Sequence, residues 1–369
     1  MRTPCVEFRP LMTAMVLLAC AAPCFAGEPL NRKKLIEWGW DEPDTAFVKA
    51  HVNEMEKLPF DGFVFHTPPI DGGNFTWTMW GPAKFRWEGF SRPLADLQAT
   101  SFHTLTDRFF RVNVTPGKVD WFDDAAWGVV LNNFGLAARF ANEGHCTGFM
   151  FDTEQYEGDL FSYQKQQGRD QRSFADYRQK VRQRGREWMR EVNGHFPDIT
   201  ILLTFGYKIA QPRLSKGEID RSQAHYGLLA DFLDGMFAAC TPETKIVDAW
   251  EHSYGYKGRE QFAEARETIK VRALEWTAER EKYGRHARAG FGIWMDNDWQ
   301  RHGWKANDVA KNYFPPVEFE TVVRAALEAS DEYVWIYTEQ PRWWTNEKLP
   351  AAYVTALANA RRPGGNGWK

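Results

Sequence analysis

The sequence predicts an α/β protein that folds as a single (β/α)8 TIM barrel with a long loop after the second strand. Eight short apolar runs alternate with segments of helical periodicity, and 369 residues are enough for one large barrel. A doubly wound open sheet is the alternative, but no glycine-rich dinucleotide loop follows any early strand. We therefore predict one barrel domain.

The predicted strands are apolar runs of five or six residues, bounded by polar or turn-forming residues. In chain order they are Lys34–Gly39, Gly62–His66, Phe109–Val114, Gly148–Asp152, Thr200–Phe205, Lys245–Trp250, Gly290–Trp294 and Tyr333–Tyr337. Helical spacing predicts Asp44–Lys57, Ala125–Glu143, Ser173–Asn193, Tyr226–Ala239, Gln261–Tyr283, Val317–Ser330 and a closing helix at Leu349–Ala360. The crossover around Pro93–Asp107 has a weaker pattern. The segment Thr67–Ser91 is rich in Gly, Pro and Trp and predicts a loop over the barrel mouth.

The N-terminus has the features of an export signal. Within residues 1–26, two arginines precede an apolar run, and Ala26 offers a cleavage position. The run is too short to span a bilayer, so no membrane span is expected. A lipoprotein-like site would instead make Cys20 a lipid-anchored N-terminus. We predict that residues 27–369 form a catalytic domain that is secreted, periplasmic or displayed on the surface of a bacterium.

Composition and cysteine content narrow the possible partners. A net charge of -3 gives no reason to expect nucleic acid. After the leader only Cys146 and Cys240 remain, either as a disulfide or as two buried thiols. No spacing typical of metal ligands occurs, so neither a metal nor a cofactor is expected.

Aromatic residues are unusually frequent, with 17 Trp, 27 Phe and 12 Tyr. Several tryptophans stand beside Gly, Asn or Asp in predicted loops, where core packing explains them less easily. The apolar faces of sugar rings stack on indoles, so the composition suggests a carbohydrate partner. Packing of the loops on the scaffold is the alternative explanation.

The segment Gly148–Tyr156 is the most informative part of the chain. A short apolar strand ends there in two carboxylates, Asp152 and Glu154. Residues two apart along a strand point the same way, so both acids emerge at its C-terminal end. Parallel barrels keep their chemistry at that end. A helix cap with a salt bridge is the structural alternative.

Acidic and aromatic residues also recur at the ends of the other predicted strands. If these ends meet at one rim, their side chains line a single cleft. The residues we expect to contact substrate are Trp38, Asp41, His66, Asn113, Tyr156, Tyr207, Tyr254, Trp294, Asp296 and Trp343.

Paired acids in such a cleft suggest glycoside hydrolysis, which needs one carboxyl as acid and another as nucleophile or base. The charge of Asp152 is expected to raise the pKa of Glu154, which makes Glu154 the candidate acid. Glu251 or Glu339 is the candidate second carboxyl, unless Glu339 pairs with Arg342. Alternatively, Asp152 is the nucleophile and Glu251 the acid/base.

The segment ending in Asp152-Thr153-Glu154 resembles the fourth-strand signature of family 18 chitinases. The resemblance implies that Glu154 is the acid and that Asp152 orients an acetamido group or stabilises an intermediate. Two other functions remain open: a carbohydrate-binding barrel without catalysis, and a metal-dependent hydrolase or lyase on the same fold.

Overall fold

A computed structural model of the chain describes residues 33–211, 220–299 and 303–362. Within these residues nine parallel strands follow the order β7-β6-β5-β4-β3-β2-β1-β9-β8, with helices packed around them. The strands are β1 (Lys34–Gly39), β2 (Gly62–Phe65), β3 (Asp107–Asn113), β4 (Gly148–Asp152), β5 (Thr200–Leu203), β6 (Lys245–Asp248), β7 (Ala287–Ala289), β8 (Phe291–Trp294) and β9 (Tyr333–Thr338). The predicted (β/α)8 barrel is confirmed. The predicted signal at 1–26, including Cys20, lies outside the described residues.

The predicted seventh strand, Gly290–Trp294, is observed as β8, and an additional short strand that the sequence did not predict, β7, precedes it on the other side of Gly290. β7 pairs with β6, while β8 pairs with β9, and the two pieces together close the barrel. The N–H of Gly290 donates to the Asp248 carbonyl at 2.9 Å. A Cβ at Gly290 would lie 2.8 Å from a Val247 methyl group and 3.0 Å from the Tyr333 carbonyl oxygen. Only glycine therefore fits this junction without displacing the neighbouring strands.

The helices follow the predicted alternation closely. They are α1 (Thr45–Met55), α2 (Phe75–Thr78), α3 (Ser91–Gln98), α4 (Asp124–Glu143), α5 (Phe174–His195), α6 (Leu229–Ala239), α7 (Arg259–Glu267), α8 (Ala273–Trp276), α9 (Arg280–His286), α10 (Pro316–Ala329) and α11 (Ala351–Ala360). Side-chain caps fix several starts: Asp44 accepts from the Phe47 N–H at 2.8 Å, and Asp123 accepts from two N–H groups of α4. Among the described residues, no helix is both long and apolar enough to cross a membrane.

The predicted helix Gln261–Tyr283 is wrong as one continuous element. It is divided into α7, a π-helical stretch at Thr268–Arg272, α8 and α9. The chain leaves the helical path at Thr277 because buried Asp234 on α6 accepts hydrogen bonds from the Thr277 hydroxyl (2.8 Å) and the Ala278 N–H (3.0 Å). A tertiary contact thus overrides the local helical pattern.

The loop after β2 lies over the barrel mouth, as the sequence predicts, but it contains the short helix α2. Phe75 anchors this helix by packing against Phe85, Phe90 and Phe110. The anchored helix brings Trp77 to the cavity described below.

The interior of the barrel is filled below its mouth. One cluster of buried side chains comes from the inward positions of the strands and includes Ile36, Val64, Phe109, Met150, Leu202, Val247 and Trp335. This layer closes the barrel and leaves the strand ends as the place for a site. Cys146 and Cys240 are both buried free thiols, so the disulfide alternative is wrong.

Candidate active site

A cavity of about 680 Å³ opens at the C-terminal ends of the strands. It receives side chains from β1, β3, β8 and β9 and from the segments that follow β1, β2, β4, β6, β8 and β9. The predicted site residues that line it are Trp38, His66, Glu154, Tyr156, Glu251, Tyr254, Trp294 and Glu339. One side of the cavity is mainly charged and the other mainly aromatic.

The charged side is organised by Arg111, which projects from β3. Its guanidinium contacts Asp152 at 3.0 Å and Glu42 at 3.3 Å. The same guanidinium lies between the rings of Trp38 and Trp77, 5.3 and 4.8 Å from their centroids. Arg111 is therefore held rigidly by two carboxylates and two indoles.

Glu42 is an ionised acceptor at the wall of the cavity. It accepts from the Trp38 indole N–H at 2.8 Å and contacts His66 Nδ1 at 3.1 Å. Burial opposes its ionisation, but Arg111 and His66 outweigh burial and hold the pKa of Glu42 below its ordinary value.

Asp152 lies behind the cavity wall and does not line it. Its side chain is fully buried and accepts from Arg111 and from the Tyr156 hydroxyl, both at 3.0 Å. Its other oxygen accepts from the Glu154 backbone N–H at 3.1 Å. The ion pair and burial leave Asp152 no exposed oxygen, which agrees with the salt-bridge alternative. A direct action of Asp152 on substrate stays a prediction.

Glu154 and Glu251 both face the cavity, from the ends of β4 and β6. Burial and the charge of Asp152 raise the pKa of Glu154. Burial, followed by the charges of Asp152 and Glu154, raises the pKa of Glu251 to about 9. Among the described residues no cation or hydrogen-bond donor contacts the Glu251 carboxyl. Glu251 is therefore the more strongly protonated of the two.

Thr204, after β5, connects the segments that carry these two acids. Its hydroxyl accepts from the Thr153 N–H at 3.0 Å, and its carbonyl accepts from the Glu251 N–H at 3.1 Å. Trp250, directly before Glu251, has a left-handed backbone with φ 41°. Such a conformation is costly for a tryptophan and persists only where neighbouring contacts fix it. The position of Glu251 is thus determined by its neighbours in the barrel.

The aromatic side consists of Trp40, Tyr254, Trp294, Trp299 and Tyr337, which we call the aromatic wall. Tyr254 stacks on Tyr337 with centroids 5.3 Å apart, and Trp294 and Trp299 meet edge to face at 5.8 Å. Trp40 and Trp299 are each 64% exposed. Exposed indoles at a cavity mouth offer apolar surfaces for a flat ligand.

Glu339 follows β9 and lies beside the aromatic wall. Its carboxylate accepts from the Tyr337 hydroxyl at 3.3 Å, while its backbone N–H donates to Asp296 at 3.0 Å. Arg342 donates to the Glu339 backbone carbonyl rather than to the carboxylate, so the expected alternative of a Glu339–Arg342 ion pair is wrong. Burial and Asp296 raise the pKa of Glu339.

Five residues predicted to contact substrate do not line the cavity, and their contact with substrate stays a prediction. They are Asp41, Asn113, Tyr207, Asp296 and Trp343. Each is largely buried and makes contacts with the surrounding scaffold.

Three of the five have buried polar partners. Asp41 accepts from the Trp344 N–H at 2.9 Å, Asn113 from the Thr115 N–H at 3.0 Å, and Asp296 from the Trp294 indole at 3.0 Å. These acceptors hold the loops at the strand ends in place.

The remaining two belong to the packing outside the barrel. The Tyr207 hydroxyl donates to Asp234 at 2.8 Å, and Trp343 packs edge to face on Phe60 at 4.9 Å. A position near a strand end therefore did not suffice to place a side chain in the cavity.

Sequence reasoning missed Arg111 and did not assign a role to Glu42. The available signal for Arg111 is a single cation within the apolar strand Phe109–Val114, in the same alternating register as Asn113.

Within the described residues, no three His, Cys, Asp or Glu side chains form a group that could hold a metal ion.

Comparison with known proteins gives relatives by structure only. No family model and no curated protein sequence matches the chain. Among solved structures, a broad-specificity family 5 endoglucanase from Bacteroides salanitronis superposes with a TM-score of 0.51 and 11% identity, covering 90% of this chain and 93% of that one. A family 5 glycoside hydrolase from Prevotella bryantii, solved with a xyloglucan tetradecasaccharide, gives 0.50 and 10%, covering 90% and 97%.

Neither of these two structures is a family 18 chitinase, so they lend no support to that resemblance. Their sequence identity to this chain is 11% and 10%, so the two structures show a similarity of fold alone. The chain therefore has a (β/α)8 barrel of the kind found in family 5 glycoside hydrolases.

Proposed function

We propose that this protein is a glycoside hydrolase that cleaves an oligosaccharide or polysaccharide, with Glu154 and Glu251 as its catalytic pair. The main observation is that two carboxyl groups with raised pKa values, from the ends of β4 and β6, face one cavity with an aromatic wall. Glycoside hydrolysis requires two carboxyl groups in different protonation states on one site. The fold shared with family 5 glycoside hydrolases is consistent with this proposal.

The two acids receive different roles from their surroundings. Glu251 is more strongly desolvated than Glu154, and its carboxyl is the harder of the two to ionise. We therefore assign the proton to Glu251. Glu154 ionises first, and its charge in turn helps to keep Glu251 neutral. The sequence placed the acid on Glu154, and this proposal moves it to Glu251.

In the proposed reaction, Glu251 donates its proton to the glycosidic oxygen as the bond to the anomeric carbon breaks. Glu154 either attacks that carbon or removes a proton from a water that attacks it. Asp152 touches no substrate here: it holds Arg111 and the Glu154 N–H, which makes it a positioning residue. The aromatic wall supports the sugar rings.

The test is digestion of a polysaccharide panel by the purified protein and three variants, with reducing ends measured over time. We expect Glu154→Gln and Glu251→Gln each to lower kcat by about 10³-fold or more, because each removes a group that acts in the transition state. The matched control is Glu157→Gln, which changes a half-exposed acid three residues from Glu154 that pairs with Lys118. Full activity in either active-site variant would contradict the assignment.

The two other functions give different results in the same panel. A carbohydrate-binding barrel would retain sugars on a glycan array without releasing reducing ends from any polymer. A metal-dependent enzyme would lose activity after chelation and regain it when a metal is added. Cleavage that resists chelation and requires both glutamates would support the proposed pair.

We also propose that the protein is exported, on the basis of the signal-like residues 1–26. Mass spectrometry of the mature N-terminus tests this directly. Cleavage after Ala26 would give an unmodified terminus, while an acylated N-terminal Cys20 would show a lipid anchor. An intact Met1 in protein recovered from cells and medium would overturn the export proposal.

A further inference from the structure

The charges around the cavity are unbalanced. Among the described residues that line it, the acids are Glu42, Glu154, Glu251 and Glu339, with Asp152 directly behind. The cations are Arg111 and, when protonated, His66, and both contact Glu42. Arg342 does not line the cavity, but its charge also acts on Glu339. Even with Glu251 neutral, the four carboxylates Glu42, Asp152, Glu154 and Glu339 outnumber these three cationic groups. A cationic ligand is therefore favoured over an anionic one.

Arg111 is already engaged by carboxylates of the protein. Its two terminal nitrogens contact Glu42 and Asp152, and its guanidinium carbon lies 5.3 and 4.8 Å from the ring centroids of Trp38 and Trp77. A uronic acid or sulfated sugar would meet uncompensated carboxylates without gaining a free guanidinium.

Glu339 is the carboxylate in the cavity that neither the proposed catalysis nor an ion pair uses. Its contact in the described structure is the Tyr337 hydroxyl, at 3.3 Å. That hydroxyl also accepts from the Trp40 indole N–H at 2.8 Å, so its one proton is committed to Glu339. Glu339 therefore keeps acceptor capacity that a donor on a ligand in the cavity can use.

The aromatic wall adjoins Glu339 through Tyr337. The Tyr337 hydroxyl contacts Glu339, the Tyr337 ring stacks on Tyr254, and Trp294 meets Tyr337 edge to face at 5.9 Å. An ammonium group that donates a charge-assisted hydrogen bond to Glu339 can also gain a cation–π contact from an aromatic residue lining the same cavity. A hydroxyl group would use the hydrogen bond but gain nothing from the charge.

We propose that the sugar bound in this cavity carries a free amino group, protonated to an ammonium, which binds against Glu339 beside the aromatic wall. The inference rests on the proposed glycoside hydrolase function and names its substrate class: an oligosaccharide that contains hexosamine residues with unacetylated amines. It departs from the neutral or N-acetylated sugar that the family 18 resemblance implies.

The experiment measures binding apart from cleavage, in the Glu251→Gln background. Glutamine there keeps the neutral state of the proposed acid while stopping turnover. Isothermal titration at about pH 6, below the pKa of an ordinary amine, compares three tetrasaccharide probes. The probes are β-1,4-linked glucosamine, its N-acetylated form, and β-1,4-linked glucose. A second variant carries Glu339→Gln in addition to Glu251→Gln. The matched control carries Glu347→Gln in addition to Glu251→Gln, because Glu347 is a well-exposed acid on the loop that follows Glu339.

We expect the glucosamine probe to bind about tenfold or more tightly than the other two, and added salt to reduce this preference. Glu339→Gln should abolish the preference, whereas Glu347→Gln should keep it. Equal binding of all three probes, or a preference that survives Glu339→Gln, would overturn the inference. In that case, cleavage of a neutral polymer by the unmodified protein would leave the glycoside hydrolase proposal standing. Absence of both binding and cleavage would overturn both.

Discussion

Replacing Glu251 by glutamine is expected to stabilise the fold at neutral and alkaline pH while removing the proposed proton donor. Burial, with Asp152 and Glu154 nearby, raises the pKa of Glu251 from its ordinary value of 4.5 to about 9. In the unfolded chain this carboxyl titrates near its ordinary value. Between the two pKa values, folded protein holds a proton that unfolded chain has released. The free energy of unfolding therefore falls as the pH rises.

The size of the effect follows from that window. Through this one group, each pH unit lowers the free energy of unfolding by up to ~1.4 kcal/mol. Between about pH 5 and about pH 8 the loss reaches roughly 4 kcal/mol as an upper bound. Glutamine does not ionise, so Glu251→Gln avoids this loss, and its stability relative to the unmodified protein rises with pH.

Urea unfolding followed by tryptophan fluorescence at a series of pH values measures the difference. We expect the stability advantage of Glu251→Gln to be small near pH 4.5, to grow through neutrality, and to level off above about pH 9. Glu281→Gln is the control, because the Glu281 side chain is 87% exposed and should give a difference that does not change with pH. A pH-independent difference for Glu251→Gln, or a variant that is less stable at pH 8, would refute the reasoning.

Three further predictions concern the cavity walls. Arg111→Met leaves buried Asp152 without its cation and should lower the free energy of unfolding by about 3–5 kcal/mol. Arg285→Met, the control in an exposed ion pair, should lower it by less than about 1 kcal/mol. Similar losses for the two variants in urea unfolding would contradict this prediction. Thr204→Val removes the hydroxyl that holds the segment after β4 and should lower kcat about tenfold or more at similar KM, while Thr204→Ser restores it; equal kcat in both variants would speak against a positioning role. Trp40→Ala removes an exposed indole and should raise KM several-fold with kcat retained, and an unchanged KM would exclude stacking there.

The sequence was a good guide to the barrel because most of its elements are locally consistent. β1 and β4 coincide with their predicted ranges, Lys34–Gly39 and Gly148–Asp152. Apolar runs bounded by polar residues leave little choice of strand ends in a buried parallel sheet. The failures come from distant contacts: Asp234 interrupts the helix predicted at Gln261–Tyr283, and the unpredicted strand β7, before Gly290, forms by pairing with β6.

The site was less predictable for a related reason. Alternation along a strand predicts which side chains share a side, and on that basis Asp152 and Glu154 were expected to emerge together. This alternation does not predict whether a side chain at the end of a strand is buried against the interior layer or reaches the cavity. Asp152 forms a buried ion pair with Arg111, while Glu154, two residues further along the chain, lines the cavity. Arg111 escaped notice because its function depends on Glu42, far away in sequence.

The hydrogen bonds of Thr204 connect the segments that carry Glu154 and Glu251, and most of the aromatic wall lies outside these segments. The acid-bearing segments after β4 and β6 are tied to each other, whereas the aromatic wall comes largely from β8, β9 and the turn after β1. Trp40 and Trp299 lie outside the segments that this link joins, so we expect their exchange to leave the spacing of Glu154 and Glu251 unchanged. Under the proposed function, new ligand preferences are best sought by randomising these two tryptophans, with the acids, Thr204 and Tyr254 left unchanged.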